Sequence, residues 1–346
     1  MSALPEPLEL MGAPGSPYTR KMLALLRYRR IPHAIHWASH RNPPTGYPKP
    51  PVELLPTFYF PKADGDLEAV VDSTPITRRL EREYLGRSTL PSNPVLGFLN
   101  YLIEDYADEW LTKCMFHFRW AHRADAENAG PLLIFWNMPT MPDADAQPAS
   151  DSIAKRQIDR LYVVGSNAVT AETIESSYAR MLHILDSLVQ RQGYVLGARP
   201  SSADFALYGQ LTQLAIVEPT SARITEQISR RIRAWVDRVE DLSGLTSKDS
   251  DWASQEAMRE NLKPLLAEIG RVYVPFLLAN AQAVMTGAKS FETTIDGRAW
   301  SQPTFPYQAK CLKWIRDEFS ALSFDGQHAV RALFAGTGCE TLLAGL

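Results

Sequence analysis

The sequence predicts an α/β domain at the N-terminus and an all-α domain after it. Three observations carry that expectation. Between Leu8 and Tyr84, apolar runs of strand length are punctuated by Gly, Pro and Asp and interrupted by only two helical patterns. From Leu96 onward, apolar residues recur at every third or fourth position instead. A polar stretch with two prolines, Gly86 to Pro94, separates the two regimes.

Leu8-Glu9-Leu10-Met11 reads as the first strand, stopped by Gly12-Ala13-Pro14-Gly15. Ser16 then stands at the N-cap of a helix, with Pro17 at its first position and Met22 and Leu26 one turn apart on its apolar face. Such a helix start offers unpaired N–H groups and a partial positive charge, which suit an anion or a thiolate. Ala34 to Trp37 reads as a second strand, parallel to the first because a helix joins them. Pro43, Pro44, Pro48, Pro50 and Pro51 exclude a long regular helix from residues 38 to 51. Thr57 to Phe60 and Leu67 to Val71 read as a hairpin joined by Lys62 to Asp66. Asp72-Ser73-Thr74-Pro75 opens the next helix, with a hydroxyl expected as its cap and Ile76, Leu80 and Tyr84 on one face.

Beyond the linker, Leu96, Leu99, Leu102, Ile103, Tyr106 and Trp110 mark a helix, and the pattern continues through Met115, Phe118 and Trp120. Residues 137 to 151, rich in Pro and Asp, read as a loop. Helices are expected from Lys155 towards Val164 and from Thr173 to Gln190, the latter burying Tyr178, Met181, Leu182, Leu185 and Leu188. Ser201-Ser202-Ala203-Asp204 forms a capping box before a helix that is apolar nearly all round and therefore central. The chain after Ser247 continues with a helical pattern from Leu262 to Ala288, which Pro275 kinks or breaks. A small hairpin turns at Asp296-Gly297, and helices follow from Tyr307 to Leu322 and Gln327 to Phe334.

The chain has 346 residues, 45% hydrophobic and 22% charged, with a net charge of −3. That balance gives no electrostatic case for a nucleic-acid partner or an anionic membrane. No run approaches the roughly 18 apolar residues of a membrane span, and no secretory signal is visible. Cys114, Cys311 and Cys339 are few, far apart and in no metal spacing, which points to a reducing, cytoplasmic setting. His117 and His122 are five apart with no neighbouring ligand pattern, so the expectation is no metal.

Four stretches together resemble the glutathione S-transferase superfamily. Gly15-Ser16-Pro17-Tyr18-Thr19-Arg20-Lys21 is similar to the serine-type active-site turn of its tau-like and bacterial members. Leu55-Pro56-Thr57-Phe58 matches the cis-proline before the third strand, and Val71 to Ile76 matches the acidic-Ser pair that starts the next helix. The Ser201 to Asp204 box matches one in the helical domain. The resemblance implies a thioredoxin-like glutathione-binding domain over residues 1–86 and an all-helical domain over 93–246. Residues 247–346 are then a mostly helical extension packed on the helical domain, in which no module is recognised.

The resemblance also implies an activity: the thiolate of bound glutathione attacks a small apolar electrophile. Ser16 is the catalytic residue it implies, donating a hydrogen bond to the sulfur and favouring thiolate over thiol. The Leu55 backbone before cis Pro56 would pair with the cysteinyl part. Asp72 and Ser73 would hold the γ-glutamyl end. The glycine carboxylate has Lys49, His40 and Arg41 as open candidates. A homodimer is implied as well. The bland reading of Ser16 is a helix cap alone, and that of the Tyr106, Trp110, Phe116, Phe118 and Trp120 series is core rather than an acceptor site. The alternative function is a non-catalytic binding or scaffold protein of the same fold. A thiol oxidoreductase is disfavoured, because Ser16 stands where such relatives carry the nucleophilic cysteine.

Overall fold

The computed structural model describes residues 7–345. Its N-terminal part runs β1 (Leu8–Gly12), α1 (Pro17–Arg29), β2 (His33–Trp37), β3 (Thr57–Pro61), β4 (Leu67–Val70) and α2 (Ser73–Glu83). The four strands form one sheet in the order β2-β1-β3-β4. β1 and β2 are parallel, Leu8 facing His33, while β1–β3 and β3–β4 are antiparallel, with Leu10 opposite Phe58 and Phe58 opposite Val70. Alternation decides the two faces. Leu8, Leu10, Phe58 and Phe60 go into the core with Met22, Leu26, Ile76 and Leu80 of α1 and α2. Glu9 and Tyr59 take the other face, where the Tyr47 ring of the proline-rich segment packs at a tilt 4.4 Å from Tyr59 and its hydroxyl donates to the Glu9 carboxylate. That segment carries no helix, as its prolines predict.

The cap of α2 is a correction. The Asp72 carboxylate, not a hydroxyl, accepts the Thr74 N–H at 3.3 Å. Pro75 falls at the third helical position, and Asp72 itself is held at φ 80°, a region that side-chain-bearing residues rarely adopt.

The helical part contains α3 (Pro94–Tyr106), α4 (Thr112–Ala121), α5 (Arg123–Phe135), α6 (Asp143–Ile158), α7 (Ala171–Gln192), α8 (Ser202–Thr212), α9 (Pro219–Ile228) and α10 (Arg230–Val239). A π-helical turn, Ala107–Leu111, joins α3 to α4. Every residue of α8 is buried, in line with its all-round apolar pattern. It crosses α1 at Gly209, where a Cβ would stand 2.4 Å from the Pro17 carbonyl oxygen. Residues 137 to 151 are not one loop: α6 starts at Asp143, and only a short helical turn, Leu161–Val164, continues where a longer helix was expected. The Pro and Asp that read as loop residues are helix-start signals. Pro142 precedes the helix, Asp143 and Asp145 sit in its first turn, and Lys155 and Arg156 sit in its last.

The remaining chain forms α11 (Gln255–Asn261), α12 (Lys263–Glu268), α13 (Val274–Met285), the hairpin β5 (Ser290–Ile295) and β6 (Arg298–Pro303), α14 (Pro306–Ser320) and α15 (Phe324–Phe334). Pro275 lies in the first turn of α13, and a π-helical turn over Ile269–Tyr273 absorbs the break. Phe319 of α14 and Phe334 of α15 pack on Phe98 of α3 at 5.8 and 5.9 Å. Trp300 of β6 packs on Trp110 at 5.4 Å. The extension thus shares one hydrophobic core with the rest of the molecule. Among the described residues no helix is long and apolar enough to cross a membrane.

Candidate functional site

The turn between β1 and α1 is fixed from behind. Buried Arg119 of α4 donates to the Gly15 carbonyl at 3.0 Å, and Gln213 donates to the Pro14 carbonyl at 3.2 Å. Gly15 has no room for a side chain, since a Cβ would lie 2.6 Å from the Trp136 ring. Ser16, half-buried, caps α1 by accepting the Thr19 N–H at 3.2 Å. Its hydroxyl proton goes to the Leu55 carbonyl in a long contact of 3.4 Å. The peptide bond from Leu55 to Pro56 is cis. The cap uses a lone pair of the oxygen and the Leu55 contact uses the O–H, so capping and donating are not exclusive. Tyr18 is turned away: its hydroxyl donates to the Asp108 carbonyl at 2.7 Å and contacts Thr112 at 2.9 Å.

Asp72 and Ser73 lie at the start of α2, and α1 ties them to Ser16. Lys21, on the second turn of the helix that Ser16 caps, donates to the Ser73 hydroxyl at 3.1 Å. The same ammonium reaches Glu104 at 2.8 Å and Asp108 at 2.6 Å, all buried. Arg78 adds a bond to Glu104 at 3.2 Å, and Ser202 another at 2.6 Å. Burial alone would raise the Glu104 pKa, but Lys21 and Arg78 outweigh it and bring it down to about 2. Burial pushes Lys21 the other way from its carboxylates, and the carboxylates win, so the lysine stays charged.

The second Asp72 oxygen accepts from Tyr307 at 2.8 Å. Tyr307 belongs to α14, so the extension reaches the expected γ-glutamyl position directly. Burial and the Asp72 charge raise the Tyr307 pKa far above that of a free phenol, which keeps the phenol protonated as a donor. Beside it Gln308 donates to Glu109 at 2.9 Å.

The candidates for the glycine carboxylate fall on the proline-rich segment. His40 is tied to the Leu54 carbonyl at 3.0 Å. His40 and Lys49 line one small cavity with Pro43, Pro48, Pro50 and Tyr59. Arg41 is exposed. The aromatic series does not line a cleft: Tyr106, Trp110, Phe118 and Trp120 are buried, with Tyr106 against Tyr273 and Phe118 against Tyr178.

Several residues were missed by reading the sequence. Glu104 and Asp108 leave a trace, as an acid pair one turn apart within an apolar helix. Lys21 stands inside the resembling motif without an assigned role. Tyr307 and Glu175 leave none. The structure brings His117 and His122 onto the Glu175 carboxylate, which is 58 positions from His117.

Residues 10–88 match the family described as glutathione S-transferase, N-terminal domain, and residues 167–238 match glutathione S-transferase, C-terminal domain. Solved structures similar to the chain include a glutathione S-transferase of Methylobacterium radiotolerans in complex with glutathione sulfonate, at 19% identity over 70% of this chain and 98% of that one, with a TM-score of 0.33. A glutathione transferase family member from Pseudomonas fluorescens with two glutathione bound is 16% identical over 68% and 87%, with a TM-score of 0.40. A tau class glutathione S-transferase from mango is 15% identical over 70% and 94%, also with a TM-score of 0.40. No curated protein matches the chain.

Proposed function

We propose that this chain, which belongs to the glutathione S-transferase superfamily, binds glutathione and transfers it as a thiolate to a small apolar electrophile. The observation that carries the reading is Ser16, with a hydroxyl that caps α1 through its lone pair and holds its proton in a weak contact to the Leu55 carbonyl. A sulfur placed beside it takes that proton as a stronger, charge-assisted bond. In this reading the Leu55 backbone before cis Pro56 holds the cysteinyl part, and Asp72 and Ser73 hold the γ-glutamyl end. For the glycine carboxylate, Lys49 and Arg41 of the proline-rich segment are the candidate cations. A cytoplasmic setting is part of the reading, supported by three cysteines that are all free and buried.

The test is the thiolate absorbance of bound glutathione against pH, for wild type and Ser16→Ala, beside calorimetric affinity and turnover on small aromatic electrophiles. One lost hydrogen bond to a charged group is worth about 1.5–3 kcal/mol. At about 1.36 kcal/mol per pKa unit, the bound thiol's pKa rises by roughly one to two units. The expected outcome is turnover down about tenfold or more with affinity nearly unchanged. Superimposable titration curves would show that Ser16 is a cap only.

A second reading, binding without turnover, draws support from Tyr307, which already occupies one oxygen of Asp72. Affinity for glutathione without any electrophile consumed would establish it. We also propose a homodimer, with α14 and α15 covering part of α3 so that the contact uses other surfaces. A monomeric mass by light scattering at micromolar concentration rejects it.

A further inference from the structure

We propose that His117, His122 and Glu175 form a binding site for a divalent transition-metal ion, zinc by the chemistry of its donors. The three residues come from separate places: His117 from α4, His122 from the turn between α4 and α5, and Glu175 from α7. Nε2 of His117 lies 3.1 Å from Oε1 of Glu175, and Nε2 of His122 lies 3.2 Å from the same oxygen. All three donor atoms lie within 4.8 Å of one another. A tetrahedral ion with bonds of about 2.0–2.1 Å needs donors about 3.3 Å apart. Two separations already meet that figure. The third closes by rotation of His122, which has a side chain that is 32% exposed.

Two further observations point to an ion rather than to a plain ion pair. Nε2 of His122 is sealed from solvent and, although only 3.2 Å from the carboxylate oxygen, makes no hydrogen bond. A buried polar atom without a hydrogen bond calls for an explanation, and a site for an ion supplies one. On the far side of the other ring, Nδ1 of His117 lies 2.8 Å from the Ser166 hydroxyl. Such an outer contact orients a ligating imidazole and leaves Nε2 to the metal. Two imidazoles and a carboxylate suit zinc and leave one position for water. The ion would pin the end of α4 to α7, on the helix from which Arg119 holds the Gly15 carbonyl.

The experiment uses the full chain, stripped by a chelator and dialysed. Zinc is titrated by calorimetry, and cobalt by visible absorbance. The expected result is one ion per chain, tetrahedral-type cobalt bands, and a melting temperature raised by zinc. His122→Ala and Glu175→Gln should each weaken binding at least tenfold and abolish the zinc-dependent rise. Both positions are partly exposed and Glu175→Gln keeps the side-chain size, so the metal-free variants should melt like wild type. His36→Ala is the control, because His36 and Glu9 form another histidine–carboxylate contact, at 3.0 Å. The proposal is overturned by no stoichiometric binding, or by binding that survives in both site variants.

Discussion

One helical rod, α3 with the π-turn after it, carries two pairs of acids on adjacent faces, and their fates differ. Glu104 and Asp108 face the thioredoxin-like domain, where Lys21 lies within 2.8 and 2.6 Å and Arg78 within 3.2 Å of Glu104. Asp105 and Glu109 face the extension, where Tyr273 donates to one at 2.5 Å and Gln308 to the other at 2.9 Å. Spacing and chemistry are nearly the same, yet Glu104 is drawn down to about 2 while loss of water pushes Asp105 up to about 7 and Glu109 up to about 8. Asp108 shares Lys21 with Glu104 but is raised by burial to about 6, between the two extremes. The difference teaches that a buried carboxylate's charge is set by the neighbour that reaches it, not by its place on the helix. The seam to the N-terminal domain is ionic. The seam to the extension is built from acids that protonate near neutrality.

Breaking the ionic seam should have the largest effect. Lys21→Met leaves Glu104 and Asp108 buried without their ammonium, a loss of about 3–5 kcal/mol. Urea denaturation at pH 7 reads it, and a change below about 1 kcal/mol would show that Arg78 and Ser202 suffice.

The other seam should respond to pH in the opposite sense. Glu104, with its depressed pKa, contributes stability that is present above the unfolded value and lost in acid. Asp105 and Glu109 have raised pKa values, so their contribution is complete below about pH 4 and is lost as pH rises through 7 and 8. Both are half-buried and water screens them, so about 1–2 kcal/mol is expected between pH 5 and 9. Glu109→Gln should flatten that slope in melting curves. An unchanged slope would locate the titration elsewhere, Lys113 being the neighbour with a pKa that burial lowers to about 7.

The smallest effect sharpens the comparison at the site. Tyr307→Phe removes one hydrogen bond to Asp72, worth about 1 kcal/mol. Glutathione should bind about fivefold more tightly if that phenol competes with the γ-glutamyl ammonium. Unchanged calorimetric affinity would mean that Tyr307 only ties α14 to α2.

Sequence alone determined what local rules govern. Ser16 before Pro17, Ser201 with Asp204, and Asp296-Gly297 announce a cap, a capping box and a hairpin turn, because each acts through its own backbone within a few residues. The two apolar periods separated sheet from helices, and the match of Leu55-Pro56 and Asp72-Ser73 to a known family placed the candidate site. Where a local signal is ambiguous the sequence misled: Pro142 and Asp143 read as loop and start a helix, and α2 is capped by Asp72 rather than a hydroxyl. Tertiary structure decided the rest. Lys21 meets Glu104, Tyr307 meets Asp72, and His117 meets Glu175 across 83, 235 and 58 positions of chain. No periodicity spans such distances, since those contacts exist only after the core brings α1, α3, α7 and α14 together. The charge of each buried acid, set by those contacts, is likewise a property of the fold.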